Sequence, residues 1–189
     1  NSLKKGFPEN LDINSVISNG GYTPLLLPSE AEIKFYIRAG NTKLAEYGDS
    51  TIRKIILTVC DLTGISSKFF LYECPNKELI TNRTLNRLFS HNLKEHGIIN
   101  INPPKDIYAG LSLGDVSHKV PCIHPYISII ENNSSIKYGS KEFAKATISE
   151  FGLSQCHIAA KALCSTAIDL MENEKLLNEI KIEFYNAIK

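Results

Sequence analysis

The chain has no tryptophan, a single methionine and no Cys-X-X-Cys pair. It also lacks any apolar run near the roughly 18 residues needed to span a bilayer, so no membrane segment is expected. Its first ten residues, NSLKKGFPEN, hold no apolar core of the kind a secretory signal requires. Charge of one sign is missing too: 21 basic residues face 20 acidic ones, a net charge of +1. That balance gives no electrostatic footprint for nucleic acid or for an anionic membrane. No internal repeat and no low-complexity segment is present.

The five cysteines, at positions 60, 74, 122, 156 and 164, are scattered and odd in number. The spacing argues against a disulfide framework and predicts free thiols, mostly buried, in a reducing compartment, the cytoplasm. With 43% hydrophobic and 22% charged residues in 189, the chain reads as globular, one large domain or two small ones.

Periodicity supplies the elements. Residues 12–18 read as a strand ending at Asn19-Gly20-Gly21, a strong turn. Residues 31–39 alternate, with Ile33, Phe35 and Ile37 on one face and Lys34, Tyr36 and Arg38 on the other. The two strands are expected to pair antiparallel. A helix over 42–61 follows, with Leu44, Ile52, Ile55, Ile56 and Val59 at helical spacing and Gly64 beyond its end. Residues 67–73 and 126–131 read as further strands. Residues 84–95 read as a helix with Leu85, Leu88, Phe89 and Leu93 on one face, Thr84 or Asn82 as cap and Gly97 as stop. Two C-terminal helices are predicted. In 155–171, Ala160, Leu163, Ala167 and Leu170 line one side, and in 174–188 Leu176, Leu177, Ile180, Phe184 and Ile188 do the same. Residues 1–6 read as the end of a helix, and 132–135 as a polar loop.

Strand, strand, helix, strand up to about residue 80 suggests a small α+β unit with a sheet on one side. The remainder offers helices but too little sheet for a free-standing layered domain. It reads as the second half of something, and helix faces such as Leu163/Leu170 and Ile180/Phe184 would then be left without cover.

Residues 109–127 carry the strongest local signal. Pro121 and Pro125 restrict themselves and the residues before them, so Cys122, Ile123 and His124 are expected to be extended or turned. A rigid, uncharged, His-bearing connection suits the wall of a site.

Four segments carry a resemblance, in order: INSVISNGGYTPLLLPSEAEIKFYIRA, PNKELITNRTLNRLFSHNLKEHG, GDVSHKVPCIHPYISI and AAKALCSTAIDL. They resemble the co-catalytic zinc metallopeptidases and amidohydrolases that include aminoacylase, carboxypeptidase G and p-aminobenzoyl-glutamate hydrolase. The amidohydrolase-type dipeptidase branch looks most similar. The resemblance implies an overall α/β class. Residues 1–80 would be most of an α+β lid, ferredoxin-like with four strands and two helices, and residues 81–189 the C-terminal portion of an α/β catalytic domain. It implies two zinc ions in a complete enzyme, a homodimer formed through the lid, and a small peptide-like ligand. The N-terminal catalytic half, with most metal ligands and the general-base glutamate, is expected to be absent from this chain.

Matched position by position, the chain departs from that pattern. Asn14 stands where the family's lid histidine would, and Asn cannot carry positive charge. Leu25 follows Pro24 where a substrate-facing Asn is usual. Gly139 stands at the last metal-ligand position and has no ligating side chain. Ser112 replaces an acidic residue. Arg38 matches, and a planar bidentate donor there could grip a substrate carboxylate; a solvated strand-end Arg is the plain alternative. His124 could touch ligand. His118 could too, although a structural hydrogen bond explains it as well. Asp115 reads as a loop-orienting residue. Lying six apart on a kinked loop, the two histidines are not expected to share a metal. Cys122 has no paired His base within its local turn, so a catalytic thiol is not expected. The candidate ligand contacts are therefore Arg38, His124, His118 and Asn14, with no catalytic residue and no metal ligand assigned within the chain.

Overall fold

Val16, Ile17, Phe35 and Ile37 belong to two β-rich runs, and these form the hairpin that organises the first part of the molecule. In the computed structural model, which describes residues 6–107, 109–131 and 136–189, β1 (Leu11–Asn19) pairs antiparallel with β2 (Glu32–Ala39). Asn19 closes the end of β1 by accepting the Gly21 N–H at 3.2 Å, a local Asx turn. The register sets Leu11 opposite Ala39, Asp12 opposite Arg38, Ile13 opposite Ile37 and Asn14 opposite Tyr36.

Helix α1 (Thr42–Thr63) starts where Asn41 accepts the Leu44 N–H at 2.9 Å and stops at Gly64, whose φ of 70° is left-handed. The Glu78 carboxylate takes the Thr42 N–H at 3.1 Å and also binds the Thr42 hydroxyl. This carboxylate completes the helix start and suits the positive end of its dipole. Buried Gly48 lets α1 approach the sheet, since a Cβ there would sit 3.1 Å from both Ile37 and Leu11. Ile52 is buried as its spacing predicts, while Val59 is exposed.

The chain divides into two units, Asn1–Glu78 with Lys105–Gly114, and Leu79–Pro104 with Asp115–Lys189. The second is helical, built from α2 (Arg83–Glu95), the short α3 (Leu113–Ser117) at its border, α4 (Lys141–Ala146), α5 (Glu150–Glu172) and α6 (Glu174–Ala187). Its core is Phe89, Leu93 and Ala162, with Ile98, Ile123, Ile127 and Ile158 packed around them. Asn82 ties three segments together. It caps α2 by accepting the Leu85 N–H, its own N–H reaches the Cys122 carbonyl, and its amide donates to Ile180, each at 2.9 Å. Ile180 and Phe184 are buried, 2% and 6% exposed, so these positions of the α6 face are covered within this chain.

The molecule mixes helix and strand, as expected, but several elements differ. The described sheet has two strands. Residues 67–73 form no ladder with any other described residue. They are held through side chains instead: the Tyr72 hydroxyl donates to the Phe35 carbonyl at 3.3 Å, and Arg53 stacks 4.9 Å from the Phe69 ring. Residues 126–131 likewise pair with no strand among the described residues; Ile127 is spent on packing against the helical core.

Helix α5 begins five residues early because Ser149 caps it, accepting the Gly152 N–H at 3.0 Å. Its inward face is also rotated from the one expected. Gly152, Ala162 and Thr166 are the buried positions: Gly152 abuts the Ala146 carbonyl, Ala162 packs with Phe89 and Leu93, and Thr166 accepts from Asn92. Leu163 is 56% exposed, and Leu153, Ile168 and Met171 are exposed alongside it. The thiols differ too. All five cysteines are free, yet only Cys122 is buried, and Cys74, Cys156 and Cys164 are exposed. Part of the expected helix end, residues 1–5, and the expected polar loop, 132–135, lie outside the described residues.

Candidate functional site

Strand alternation puts Asp12, Asn14, Tyr36 and Arg38 on one face of the hairpin. Leu11 and Ile37 point the other way, toward α1. Arg38 forms an ion pair with Asp12, directly opposite, and Asn14 donates its amide to the same Asp12 oxygen, Oδ2, at 2.9 Å. Two of the four sequence-predicted contacts, Arg38 and Asn14, are thus brought together by a residue the sequence reading passed over. The signal was available, since an Asp and an Arg at opposed ends of an antiparallel pair fall in register once the hairpin is closed.

Tyr36 lies beside the pair. Its hydroxyl sits so near Gly110 that a Cβ at 110 would require the Tyr36 ring to shift. The segment 105–114 belongs to the same unit, so the start of the stretch 109–127 lies over this polar face. Gly114 is also required by contact, because a Cβ there would strike the Lys77 carbonyl.

The remainder of that stretch belongs to the second unit. Asp115, expected to orient a loop, instead lies in the first turn of helix α3. Buried Ser117 fixes the neighbouring chain by accepting the Ile80 N–H at 2.9 Å. Beyond it the Pro121–Pro125 step is non-helical, as the prolines dictate, and Cys122 makes an isolated parallel bridge with Thr81. His124 is half-buried and packs edge-on against Tyr126, ring centroids 4.8 Å apart. His118 is half-buried just after α3. Burial pushes the Cys122 thiol above its ordinary value, which disfavours the nucleophilic thiolate.

The other matched positions carry little. Leu25 is 86% exposed on the hairpin loop. Gly139 has a left-handed φ of 80° and open space around it, a turn residue ahead of the Ser140 cap of α4. Among the described residues no three His, Cys, Asp or Glu converge on a point that could hold a metal. A groove of about 430 Å³ runs between α2, α5 and α6, lined by Leu88, His91, Asp169, Glu172, Asn173 and Leu176, and includes none of the predicted contacts. No helix among the described residues is long and apolar enough to cross a membrane.

Two curated proteins match the chain. It is 27% identical over 179 residues to the Xaa-Arg dipeptidase of Mus musculus, covering 91% of this chain and 40% of that protein. It is 25% identical over 182 residues to the Xaa-Arg dipeptidase of Homo sapiens, covering 91% and 39%. The chain therefore spans about two fifths of the length of the curated relatives it matches. No family model matches it. The two matches support a relationship to peptidases.

Proposed function

We propose that this chain is the lid and C-terminal portion of a metal-dependent, peptidase-like amidohydrolase. The whole protein would cleave amide bonds in dipeptide-like or N-acyl amino acid substrates in the cytoplasm. The observation that carries the reading is the match to two dipeptidases across 91% of the chain, while the chain spans only two fifths of their length. The hairpin with α1 is then half of a ferredoxin-like lid through which two copies pair. The uncovered apolar side of α5, with Leu163 and Met171 exposed, suits a helix whose second neighbour lies in the rest of the protein.

The described residues do not fit a zinc centre. The expected ligand position is Gly139, and no donor set converges elsewhere. The metal would be held by residues outside this chain, and no catalytic step is assigned here. What these residues supply is recognition. The Arg38 guanidinium offers charge-assisted hydrogen bonds to a substrate carboxylate. Asn14, His118 and His124 would offer uncharged polar contacts, or a charged one where a histidine is protonated.

The test is hydrolysis of C-terminal-Arg dipeptides and N-acyl amino acids by the natural gene product, with and without a chelator. Turnover abolished by the chelator and restored by zinc is expected. Absence of both turnover and bound metal would instead favour a non-catalytic descendant that keeps the lid and the ligand cleft. The observations on its side are Gly139, Leu25 and Asn14 at positions where the resemblance implies polar or ligating side chains.

A further inference from the structure

We propose that Asp12 is a positioning residue that holds Arg38 for carboxylate recognition. The proposal rests on the reading of Arg38 as a ligand contact and adds what makes that contact possible. A lone arginine on a half-exposed strand end samples many rotamers, and a ligand that needs one of them must order the side chain on binding. Arg38 is not left in that condition. Its terminal Nη2 is paired with Oδ2 of Asp12 directly across the hairpin, and the backbone ladder fixes the two residues in register.

The same oxygen accepts the Asn14 amide at 2.9 Å. Asn14 is two residues along β1 and on the same face, so one carboxylate oxygen sets the spacing between two of the proposed ligand contacts. The pair is half-exposed, with 36% of the Arg38 side chain and 38% of the Asp12 side chain accessible, so a molecule arriving from solvent can reach it. It also adjoins Tyr36, whose hydroxyl lies against Gly110 of the same unit, so the platform has a floor of strand and a loop residue at its side. Ion pairs this exposed add little to folding stability, which leaves orientation as the effect the pair is best placed to have.

The experiment is a double-mutant cycle on binding. The natural full-length protein and its Asp12→Asn, Arg38→Ala and doubly substituted variants are titrated calorimetrically. The probe is the reduced-peptide-bond analogue of glycyl-arginine, which keeps the carboxylate and cannot be hydrolysed. Asp12→Asn preserves shape and removes the charge that orients Arg38, and thermal melts confirm that each variant folds. The expected result is about tenfold weaker binding for Asp12→Asn, and a double variant no weaker than Arg38→Ala alone, because the two residues act as one unit. Asp12→Glu, which keeps the charge, should recover part of the loss.

If Arg38→Ala weakens binding while Asp12→Asn does not, or if their losses add, the positioning role is overturned and the ligand role of Arg38 stands. If Arg38→Ala binds like the wild type, or the wild type does not bind, the reading of Arg38 itself fails, and the positioning role with it.

Discussion

Glu183 on α6 accepts the backbone N–H of Thr84 at 2.9 Å, and that of Arg83 at 2.6 Å, so the first turn of α2 is capped by a residue about a hundred positions away. The initial N–H groups of a helix have no partner inside it. Here two are satisfied by one carboxylate, and a third by Asn82. The second unit is thereby closed by a contact between its first long helix and its last. Burial alone would raise the Glu183 carboxyl. The Thr84 side chain, the two backbone N–H groups and the Arg83 charge outweigh it and hold the carboxyl below the ordinary value of 4.5.

Glu183→Gln is expected to lower stability by about 1 kcal/mol at neutral pH, the usual worth of a lost charged cap. The sign follows from the depressed carboxyl. Its stabilisation is complete above the unfolded value near 4.5 and disappears as pH falls through the lower folded value. Urea melts should therefore separate wild type and Gln variant at pH 7 and draw them together toward pH 3.

The interface of α2 and α5 combines an apolar core with a polar seam. Phe89 is 1% exposed, and its replacement by Ala is expected to cost about 3–5 kcal/mol. Asn92 is 6% exposed and donates to Thr166 at 3.1 Å and to Asp169 at 2.8 Å. Asn92→Ala leaves both acceptors short of a donor, for an expected loss of about 1–3 kcal/mol. Chemical denaturation of both variants gives the order, with Phe89→Ala the larger.

Thiol accessibility should sort the cysteines. In the chain 1–189, Cys74, Cys156 and Cys164 are exposed and should react quickly with a maleimide at pH 8. Cys122 is buried and its thiol is pushed up by burial, so it should react only on unfolding. Mass spectrometry after timed labelling reads each site. Protection of Cys156 and Cys164 in the natural product would mean that the apolar side of α5 is covered there.

Gly139→His tests whether a histidine at the position where the resemblance implies a ligand binds metal. A Cβ at 139 meets nothing within 4 Å, so the penalty is confined to the left-handed backbone, about 1–2 kcal/mol. With no other donors converging among the described residues, the variant is expected to gain no zinc by elemental analysis.

How far the sequence carries is clearest in particular residues. The β1–β2 pairing and the helices α1, α2, α5 and α6 follow from periodicity and from caps such as Asn41, Asn82 and Gly64, because those signals are local. The run Phe69–Tyr72 has strand composition, yet no backbone among the described residues pairs with it, and composition does not reveal which partner a strand will find. Leu163 looks like a core residue, whereas the buried positions beside it are Ala162, packed with Phe89 and Leu93, and Thr166, which accepts from Asn92 on another helix. At the candidate site, Arg38 and Asn14 were visible as residues. Asp12 was not, because its role exists only across the strand register.

The role proposed for Arg38 is to grip a substrate carboxylate in a peptidase-like hydrolase. Its most direct test is steady-state hydrolysis of glycyl-arginine by the natural gene product, wild type against Arg38→Ala. Loss of a charge-assisted contact made equally in ground and transition states raises KM and spares kcat. The expected result is a KM higher by about 10-fold or more with kcat changed less than twofold. An unchanged KM, or no hydrolysis by the wild type, would contradict it.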